Sequence, residues 1–185
     1  MDGERLVKTA RKIIEDYLSG RKTPKVGIDG NGGVFVTLKK QGELRGCIGI
    51  PAPGPLSERL KEAAQGVTRD PRFPPLELSE MQDTTVEVSV LTKPKPVEDP
   101  KKVVVGKDGI IMRRGFNSGL LLPQVPVEQG WTLEEYLDYG CLKAGLPPEA
   151  WKDGTAQIFT FQAKVFKEIE PNGEVVEIHQ ETKGE

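Results

Sequence analysis

The stretch VFVTLKKQGELRGCIGI, residues 34–50, restricts the fold more than any other part of this sequence. It consists of two extended arms separated by Gln41 and Gly42, a pair of residues that suits a tight turn. The pattern therefore predicts a β-hairpin. Three prolines are predicted to end the second arm, at positions 51, 53 and 55, and the last of them suits the first turn of a following helix.

Side chains in the second arm are expected to alternate between the two faces of the sheet. The alternation assigns four residues to the face that packs on the core: Leu44, Gly46, Ile48 and Ile50. Arg45, Cys47 and Gly49 then lie on the opposite face, where Gly49 leaves an open patch beside the sulfur. The hairpin therefore combines a core-forming set of side chains with a separate polar set.

The rest of the chain mixes helices and strands without strict alternation. Helical periodicity predicts three helices: 4–19, 56–67 and 132–145. Thr132 and Glu135 predict a capping box at the start of the third. Further strands are predicted at three places: 84–91, 119–125 after a hairpin about 107–109, and one long strand over 156–169. Because most strands look hairpin-linked, the fold class is α+β.

The connector KPKPVEDPKK is rich in proline and lysine. Such a composition is typical of a stiff, exposed linker. It predicts a boundary between two lobes near 92–102, within a single domain that spans 1–185.

Composition excludes several classes of function. The formal net charge is −2, from 26 basic and 28 acidic side chains, so no global basic field exists to bind nucleic acid non-specifically. The two cysteines form no disulfide framework, and the Cys and His spacing of a metal site does not occur. The single histidine, His179, falls in the polar last residues, which disfavours a Ser-His-Asp triad. No run of signal-peptide or membrane-span type occurs, so we expect a cytoplasmic globular protein without a cofactor.

Arg45 and Cys47 admit two interpretations. A positive charge beside a thiol favours the thiolate, so the pair suits a reactive or anion-binding site. Alternatively, Cys47 packs as a small apolar residue under the following helix, as free cysteines on strands usually do, and Arg45 is solvated.

The proline-locked stretch RDPRFPP, residues 69–75, places a carboxylate and a guanidinium on a stiff loop. Asp70 and Arg72 would suit a polar or anionic ligand. The alternative is an aspartate turn beside a solvated arginine.

Two further polar residues are candidates for the same site. Glu87 stands on the polar face of a valine-rich strand, where it would act as a general base, pair with Arg45 or Arg72, or remain solvated. Gln124, at the end of an apolar strand, would hydrogen-bond a ligand or satisfy loop backbone.

Other features are interpreted as structural. Cys141 lies on the apolar stripe of its helix and is predicted to be part of the core. A modest basic patch is interpreted as a solvated face because it lacks interleaved aromatic residues: Arg113 and Arg114 with Lys101 and Lys102. The glycines of GKDG and IDGNGG match no phosphate-binding loop, so they are turn residues.

Five motifs occur in order along the chain: LRGCIG (44–49), DPRF (70–73), VEVSVL (86–91), GLLLPQV (119–125) and CLKAGLPPEAW (141–151). Together they resemble the AMME-syndrome critical-region protein family, with its AMMECR-type domain, and the resemblance covers residues 4–170. The chain resembles a prokaryotic or archaeal member. The resemblance implies an α+β fold of two unequal lobes, with largely antiparallel sheets, flanking helices and a cleft between the lobes.

The resemblance also bears on function. It implies a biochemically uncharacterised activity, folds likened to those that recognise nucleotides, nucleic acids or peptides, and Memo-type or radical-SAM proteins as partners. Carried over residue by residue, the first two motifs supply the candidate site residues: Arg45, Gly46, Cys47, Gly49, Asp70, Arg72 and Phe73.

Two functions from different classes remain open. In the first, the protein is an enzyme that acts on a nucleotide or RNA through Cys47, with Glu87 or Asp70 handling protons. The remaining candidates then bind substrate: Arg45, Gly46, Gly49, Arg72, Phe73 and Gln124. In the second, the protein is a non-catalytic module that binds a nucleotide, RNA or peptide in the same cleft and acts with partner proteins.

Overall fold

A computed structural model of the chain describes residues 1–23 and 27–178, so the prediction for His179 lies outside the described residues. Contacts divide the chain into two compact units. The first comprises Met1–Leu91 and the segment that begins at Lys164, and the second comprises Thr92–Ala163. The chain therefore leaves the first unit once and later returns to it.

The helices and strands of the described residues follow one another in this order: α1 (Gly3–Leu18), β1 (Asn31–Lys40), β2 (Glu43–Pro55), α2 (Leu56–Gly66), β3 (Thr84–Leu91), β4 (Lys95–Val97), β5 (Gly109–Arg114), β6 (Asn117–Leu121), α3 (Gln124–Gln129), α4 (Leu133–Lys143), β7 (Gln157–Phe161), β8 (Ala163–Glu168) and β9 (Val175–Ile178). The first unit holds a five-stranded sheet in the order β2-β1-β3-β8-β9. The second holds a four-stranded sheet in the order β4-β7-β5-β6. Two sheets built from antiparallel hairpins and flanked by helices confirm the α+β class.

The predicted hairpin about Gln41 and Gly42 is confirmed. Both turn residues have positive φ, 52° and 86°, which is the requirement of a type I′ hairpin turn. The second arm ends at the last of the three prolines, since β2 passes through Pro51 and Pro53 and stops at Pro55. The strand lies at the edge of its sheet, where a missing proline N–H removes no ladder hydrogen bond.

The core of the first unit lies between its sheet and the two helices. Alternate residues of β1 and β3 are fully buried with the apolar faces of α1 and α2: Val34, Val36, Leu38, Val86 and Val88 among them. A buried ion pair crosses this core, since Arg11 of α1 donates to both carboxylate oxygens of Glu168 in β8, at 2.7 and 2.5 Å. Glu168 also accepts the N–H of Val86 at 2.9 Å, so the pair ties α1, β3 and β8 together.

The predicted strand over 156–169 is two strands in two different sheets. β7 ends at Phe161 in the second sheet, and β8 begins at Ala163 in the first. Between them, Gln162 exchanges hydrogen bonds with Thr92, which precedes β4: its carbonyl accepts the Thr92 N–H at 2.8 Å, and its N–H donates to the Thr92 hydroxyl at 2.9 Å. The two crossings of the chain are therefore held side by side, which a one-dimensional alternation pattern does not reveal.

Two further assignments in the second unit are corrected. The hairpin predicted about 107–109 lies instead between β5 and β6, where Gly115 (φ 61°) and Phe116 form the two-residue turn. The strand predicted over 119–125 ends at Leu121, and Gln124 begins α3.

The helix α4 agrees with the sequence analysis. Its capping box is present, with the Glu135 N–H donating to the Thr132 hydroxyl at 3.3 Å and the Thr132 N–H donating to the Glu135 carboxylate at 2.8 Å. Cys141 is fully buried as predicted, and burial raises the pKa of its thiol.

Candidate functional site

The strand that carries Cys47 contains a β-bulge just before it. Leu44 pairs with Lys39 and Gly46 pairs with Leu38, so Arg45 is an extra residue in β2. The bulge places Leu44 on the same face as Lys39, where it is 43% exposed. The prediction that Leu44 faces the core is therefore wrong, because one inserted residue reverses a period of two. Ile48 and Ile50, beyond the bulge, pack against the core as predicted.

Cys47 begins a row of polar side chains across three strands. It pairs with Thr37 of β1, which in turn pairs with Glu87 of β3, on the sheet face opposite the buried valines. The Thr37 hydroxyl donates a hydrogen bond to the Cys47 sulfur at 3.2 Å. Glu87 accepts one from the Lys39 ammonium at 3.3 Å, so the predicted pairing of Glu87 with Arg45 or Arg72 is wrong. Cys47 and Glu87 stand two strand spacings apart, about 10 Å.

The glycines beside Cys47 make room for neighbouring groups. A Cβ on Gly49 would overlap the ring of Phe35, so the open patch predicted there is filled by an aromatic side chain. A Cβ on Gly46 would lie 3.1 Å from the Val67 side chain, which packs on that glycine from the core side. Both glycines are therefore explained by close packing.

Asp70 and Arg72 hold the backbone of Cys47. The Cys47 N–H donates to the Asp70 carboxylate at 2.8 Å, and Arg72 Nη2 donates to the Cys47 carbonyl at 3.1 Å. Both groups point away from β1, since Cys47 and Thr37 form a non-hydrogen-bonded pair, and no further strand lies on that side because β2 is the edge strand of its sheet. The two side chains therefore satisfy the groups that a further strand would otherwise pair, and they form what we call the edge clamp.

The Asp70 carboxylate is fully engaged within this clamp. Its side chain is only 2% exposed and accepts four hydrogen bonds: from Arg72 N, Nε and Nη2 at 3.1, 3.0 and 2.7 Å and from Cys47 N at 2.8 Å. The Arg72 guanidinium, with the two backbone donors, holds the pKa of Asp70 well below its usual range. Asp70 is thus ionised at neutral pH and its oxygens already accept four hydrogen bonds, which makes it unsuitable as a proton acceptor.

The guanidinium of Arg45 is engaged in the same way, by a residue that sequence reasoning missed. Arg45 Nε and Nη2 donate to the two carboxylate oxygens of Glu80 at 3.0 and 2.8 Å, and Nη2 also donates to the Pro74 carbonyl at 3.1 Å. This pairing lowers the pKa of Glu80 to about 2. Glu80 also forms a capping box with Glu77 at the start of a 3-10 turn, but no sequence pattern links it to Arg45.

Two predicted site residues remain. Phe73 lies beside the clamp, with the Arg72 and Arg45 guanidinium carbons 5.6 and 6.0 Å from its ring centroid. Gln124 belongs to the second unit and begins α3 instead of ending a strand. Its side-chain oxygen is buried without a hydrogen-bond partner among the described residues.

Two further features are absent from the described residues: a cluster of metal ligands and a membrane-spanning helix. Within residues 1–23 and 27–178, no three His, Cys, Asp or Glu side chains are grouped closely enough to hold a metal ion. No helix in the same residues is both long and apolar enough to cross a membrane.

Comparison with known proteins identifies relatives over nearly the whole chain. The sequence is 50% identical to Protein MJ0810 of Methanocaldococcus jannaschii, covering 95% of this chain and 94% of that protein. It is 53% identical to Protein MK0488 of Methanopyrus kandleri, covering 95% and 93%. The fold matches the crystal structure of the uncharacterized protein PH0010 from Pyrococcus horikoshii with a TM-score of 0.85 and 45% identity, over 95% of this chain and 96% of that one.

These relatives and PH0010 come from archaea, in keeping with the prokaryotic or archaeal resemblance read from the motifs. The model of the AMMECR1 family matches residues 7–166, a range that contains all five ordered motifs. The chain belongs to the AMMECR1 family.

Proposed function

We propose that the first unit is a non-catalytic binding module that holds a polar ligand on the row formed by Cys47, Thr37 and Glu87. The observation that carries the proposal is the engagement of the charged candidates. Asp70 holds Arg72 and the Cys47 backbone, and the Arg45 guanidinium is held by a carboxylate and a carbonyl. A thiol, a hydroxyl and a carboxylate lie together on one sheet face and are less fully engaged, with one hydrogen bond from Thr37 to Cys47 and one from Lys39 to Glu87.

The geometry supports recognition better than catalysis at the thiol. A general base must lie within hydrogen-bond reach of the proton it takes. Glu87 stands two strands from Cys47 and is paired with Lys39, while Asp70 faces the backbone instead of the sulfur. These groups can instead donate and accept hydrogen bonds to a bound molecule.

Among nucleotide, RNA and peptide ligands, the edge clamp favours the first two. A peptide that adds to a sheet uses the free N–H and C=O groups of the edge strand. At Cys47 both groups are taken by Asp70 and Arg72. A base edge, by contrast, needs side-chain donors and acceptors such as Thr37 and Glu87. We propose Memo-type and radical-SAM proteins as the partners of this binding module.

Thermal shift and calorimetric titration with the four ribonucleoside monophosphates test the proposal. We expect a ligand to raise the melting temperature, and Glu87→Gln to weaken its binding about tenfold through the loss of a charged acceptor. Cys47→Ser keeps the fold and is expected to change the affinity by less than about threefold. Glu128→Gln, an exposed charge in the second unit, is the matched control. The absence of stabilisation by every nucleotide, or equal losses in Glu87→Gln and Glu128→Gln, contradicts the proposal.

One observation favours a cysteine enzyme as the second candidate. The Thr37 hydroxyl donates to the Cys47 sulfur and fixes its position on the polar face, as a positioned nucleophile requires. Iodoacetamide labelling at neutral pH separates the candidates, because Cys141 is fully buried and the signal comes from Cys47. If the protein is a binding module, iodoacetamide modifies Cys47 no faster than it modifies a free cysteine derivative. Labelling about tenfold faster, abolished in Thr37→Val, supports the enzyme.

A further inference from the structure

The second unit contains a cavity whose residues take no part in the site described above. Its volume is about 570 Å³, within the range of small-molecule sites. Two aromatic side chains, Trp151 and Phe159, line it together with the amide of Gln157 and the rings of Pro96 and Pro100. The lining also carries two charged side chains, Glu98 and Lys152, and the Lys152 ammonium lies 5.2 Å from the centroid of the Trp151 ring. The Gln157 amide can both donate and accept hydrogen bonds.

A guanidinium stands at the border of this cavity. Arg113 of β5 lies directly opposite Gln157 in the sheet, and its guanidinium carbon is 5.2 Å from the centroid of the Phe159 ring. Arg113 and Arg114 are both exposed, and neither forms a salt bridge with a carboxylate of the described residues. Arg114 donates to the Thr155 hydroxyl at 3.3 Å. Because side chains alternate along β5, Arg114 points to the other face of the sheet. Arg113 is therefore the exposed cation beside the aromatic cavity, where it would satisfy the anionic group of a planar ligand.

A carboxylate that lines the cavity, that of Glu98, indicates how such a ligand is oriented. Glu98 lines the cavity just beyond β4, whereas Arg113 lies on β5, on the other side of the central strand β7. A negative group is repelled at the β4 side and attracted at the β5 side. Lys152 also lines the cavity, but its ammonium is paired with Glu149 at 3.0 Å. The anionic end of a ligand therefore belongs at Arg113.

The aromatic residues missing from the basic stretch in sequence are supplied by the fold. Phe159 lies under Arg113, and Phe116 is fully exposed at the tip of the β5–β6 hairpin, two residues after Arg114. The interpretation of these arginines as a merely solvated face rested on the absence of interleaved aromatics, and that reason does not hold in the folded chain.

We propose that this cavity binds a nucleotide, with the base against Trp151 and Phe159, its edge on Gln157, and the phosphate on Arg113. A free mononucleotide and one nucleotide of a single-stranded RNA offer the same chemistry. In an RNA the neighbouring base stacks on Phe116, which a mononucleotide does not reach. The proposal concerns residues of the second unit and stands independently of the site around Cys47.

Calorimetric titration with UMP, with uridine and with a fluorescein-labelled oligouridylate tests the proposal. UMP is expected to bind about tenfold more tightly than uridine, and Arg113→Gln to remove that difference, because only UMP carries the phosphate. Phe159→Leu weakens both ligands. Lys143→Gln, an exposed cation at the end of α4, is the matched control and leaves all affinities unchanged.

The oligouridylate distinguishes the two sources of the nucleotide. If the ligand is RNA, Phe116→Ala weakens oligouridylate about fivefold and leaves UMP unchanged, since one stacked base is lost. Leu142→Ala, another exposed apolar residue, is the control. If the ligand is a free nucleotide, Phe116→Ala changes neither affinity. No binding of UMP or oligouridylate, or equal binding of UMP and uridine, overturns the proposal.

The same titrations separate this proposal from the site around Cys47. Nucleotide binding that Glu87→Gln weakens and Arg113→Gln does not overturns the second-unit site and supports the first. Binding that only Arg113→Gln weakens overturns the nucleotide function of the first unit and supports the second.

Discussion

Three arginines of the first unit and two of the second differ in their partners. In the first, Arg11, Arg45 and Arg72 each have a carboxylate partner and at least one backbone carbonyl. In the second, Arg113 and Arg114 have no carboxylate partner among the described residues, and Arg113 stands beside an aromatic cavity. The difference teaches that a charged motif in this chain is not by itself a reactive site. The motifs LRGCIG and DPRF are joined by hydrogen bonds that hold an edge strand in place.

The largest effect that separates the units is expected at the buried pair of the first. Arg11→Met leaves the Glu168 carboxylate buried without its cation, at a cost of about 3–5 kcal/mol of unfolding free energy. Urea denaturation measures the loss. Lys8→Met, which breaks an exposed pair with Glu4, is the control and costs less than about 1 kcal/mol. Equal losses in the two variants would show that burial does not set the strength of these pairs.

The next effect is expected at the edge clamp. Asp70→Ala leaves the Cys47 N–H without an acceptor and removes the carboxylate partner of Arg72, so we expect a loss of about 1–3 kcal/mol in urea denaturation at neutral pH.

The pH dependence of the same clamp follows from the pKa of Asp70. That pKa is lower in the folded chain than its unfolded value of about 3.9, so ionised Asp70 contributes stability above that pH and the contribution is lost as the pH falls. The stability difference between the unmodified chain and Asp70→Asn therefore shrinks between neutral pH and pH of about 3. A difference that stays constant over this range contradicts the clamp.

A smaller effect is expected where an aromatic ring covers a glycine. Gly49→Ala places a methyl group where the Phe35 ring lies, so the ring must shift at a cost of about 1–2 kcal/mol. In a Phe35→Leu background the same substitution costs less, because the smaller side chain yields the space. A double-mutant cycle measures the coupling. An additive cycle would mean that Gly49 is required for another reason.

The smallest effects contrast one arginine from each unit. The side chain of Arg72 is 56% exposed, which lets solvent screen its charge, but Arg72→Ala leaves the 2% exposed Asp70 carboxylate with backbone donors only, so we expect a cost of about 1–2 kcal/mol. Arg113→Ala is expected to leave stability unchanged within about 0.5 kcal/mol, since its guanidinium has no carboxylate partner in the described chain. Thermal denaturation of both variants under one condition checks the order, and a larger loss for Arg113→Ala reverses the comparison.

The sequence predicted the local elements well where one period governs a segment. The Gln41-Gly42 turn, the buried valines of β3 and the capping box of α4 follow from turn chemistry, alternation and a four-residue motif. The predictions failed where a single residue changes the register or the partner. The bulge at Arg45 moves Leu44 to the face opposite the predicted one. Gln162 separates β7 from β8, and the two strands belong to different sheets.

The candidate site shows the same limit. Sequence reasoning selected Arg45, Cys47, Asp70 and Arg72, and the fold brings Asp70 and Arg72 to Cys47 through its backbone. Their roles depend on contacts between residues far apart in sequence, such as the pairing of Arg45 with Glu80. No spacing rule contains that information. The AMMECR1 family was predictable because five ordered motifs identify it without any knowledge of those contacts.

Residue-resolved amide hydrogen exchange at Cys47 tests the central claim most directly. The Cys47 N–H points away from β1 and has Asp70 as its acceptor, whereas Ile48 pairs with Val36 within the hairpin and serves as the internal control. We predict that the Cys47 amide is protected in the unmodified chain, and that Asp70→Ala removes this protection while Ile48 stays protected. A Cys47 amide that exchanges freely in the unmodified chain, or keeps its protection in Asp70→Ala, contradicts the account.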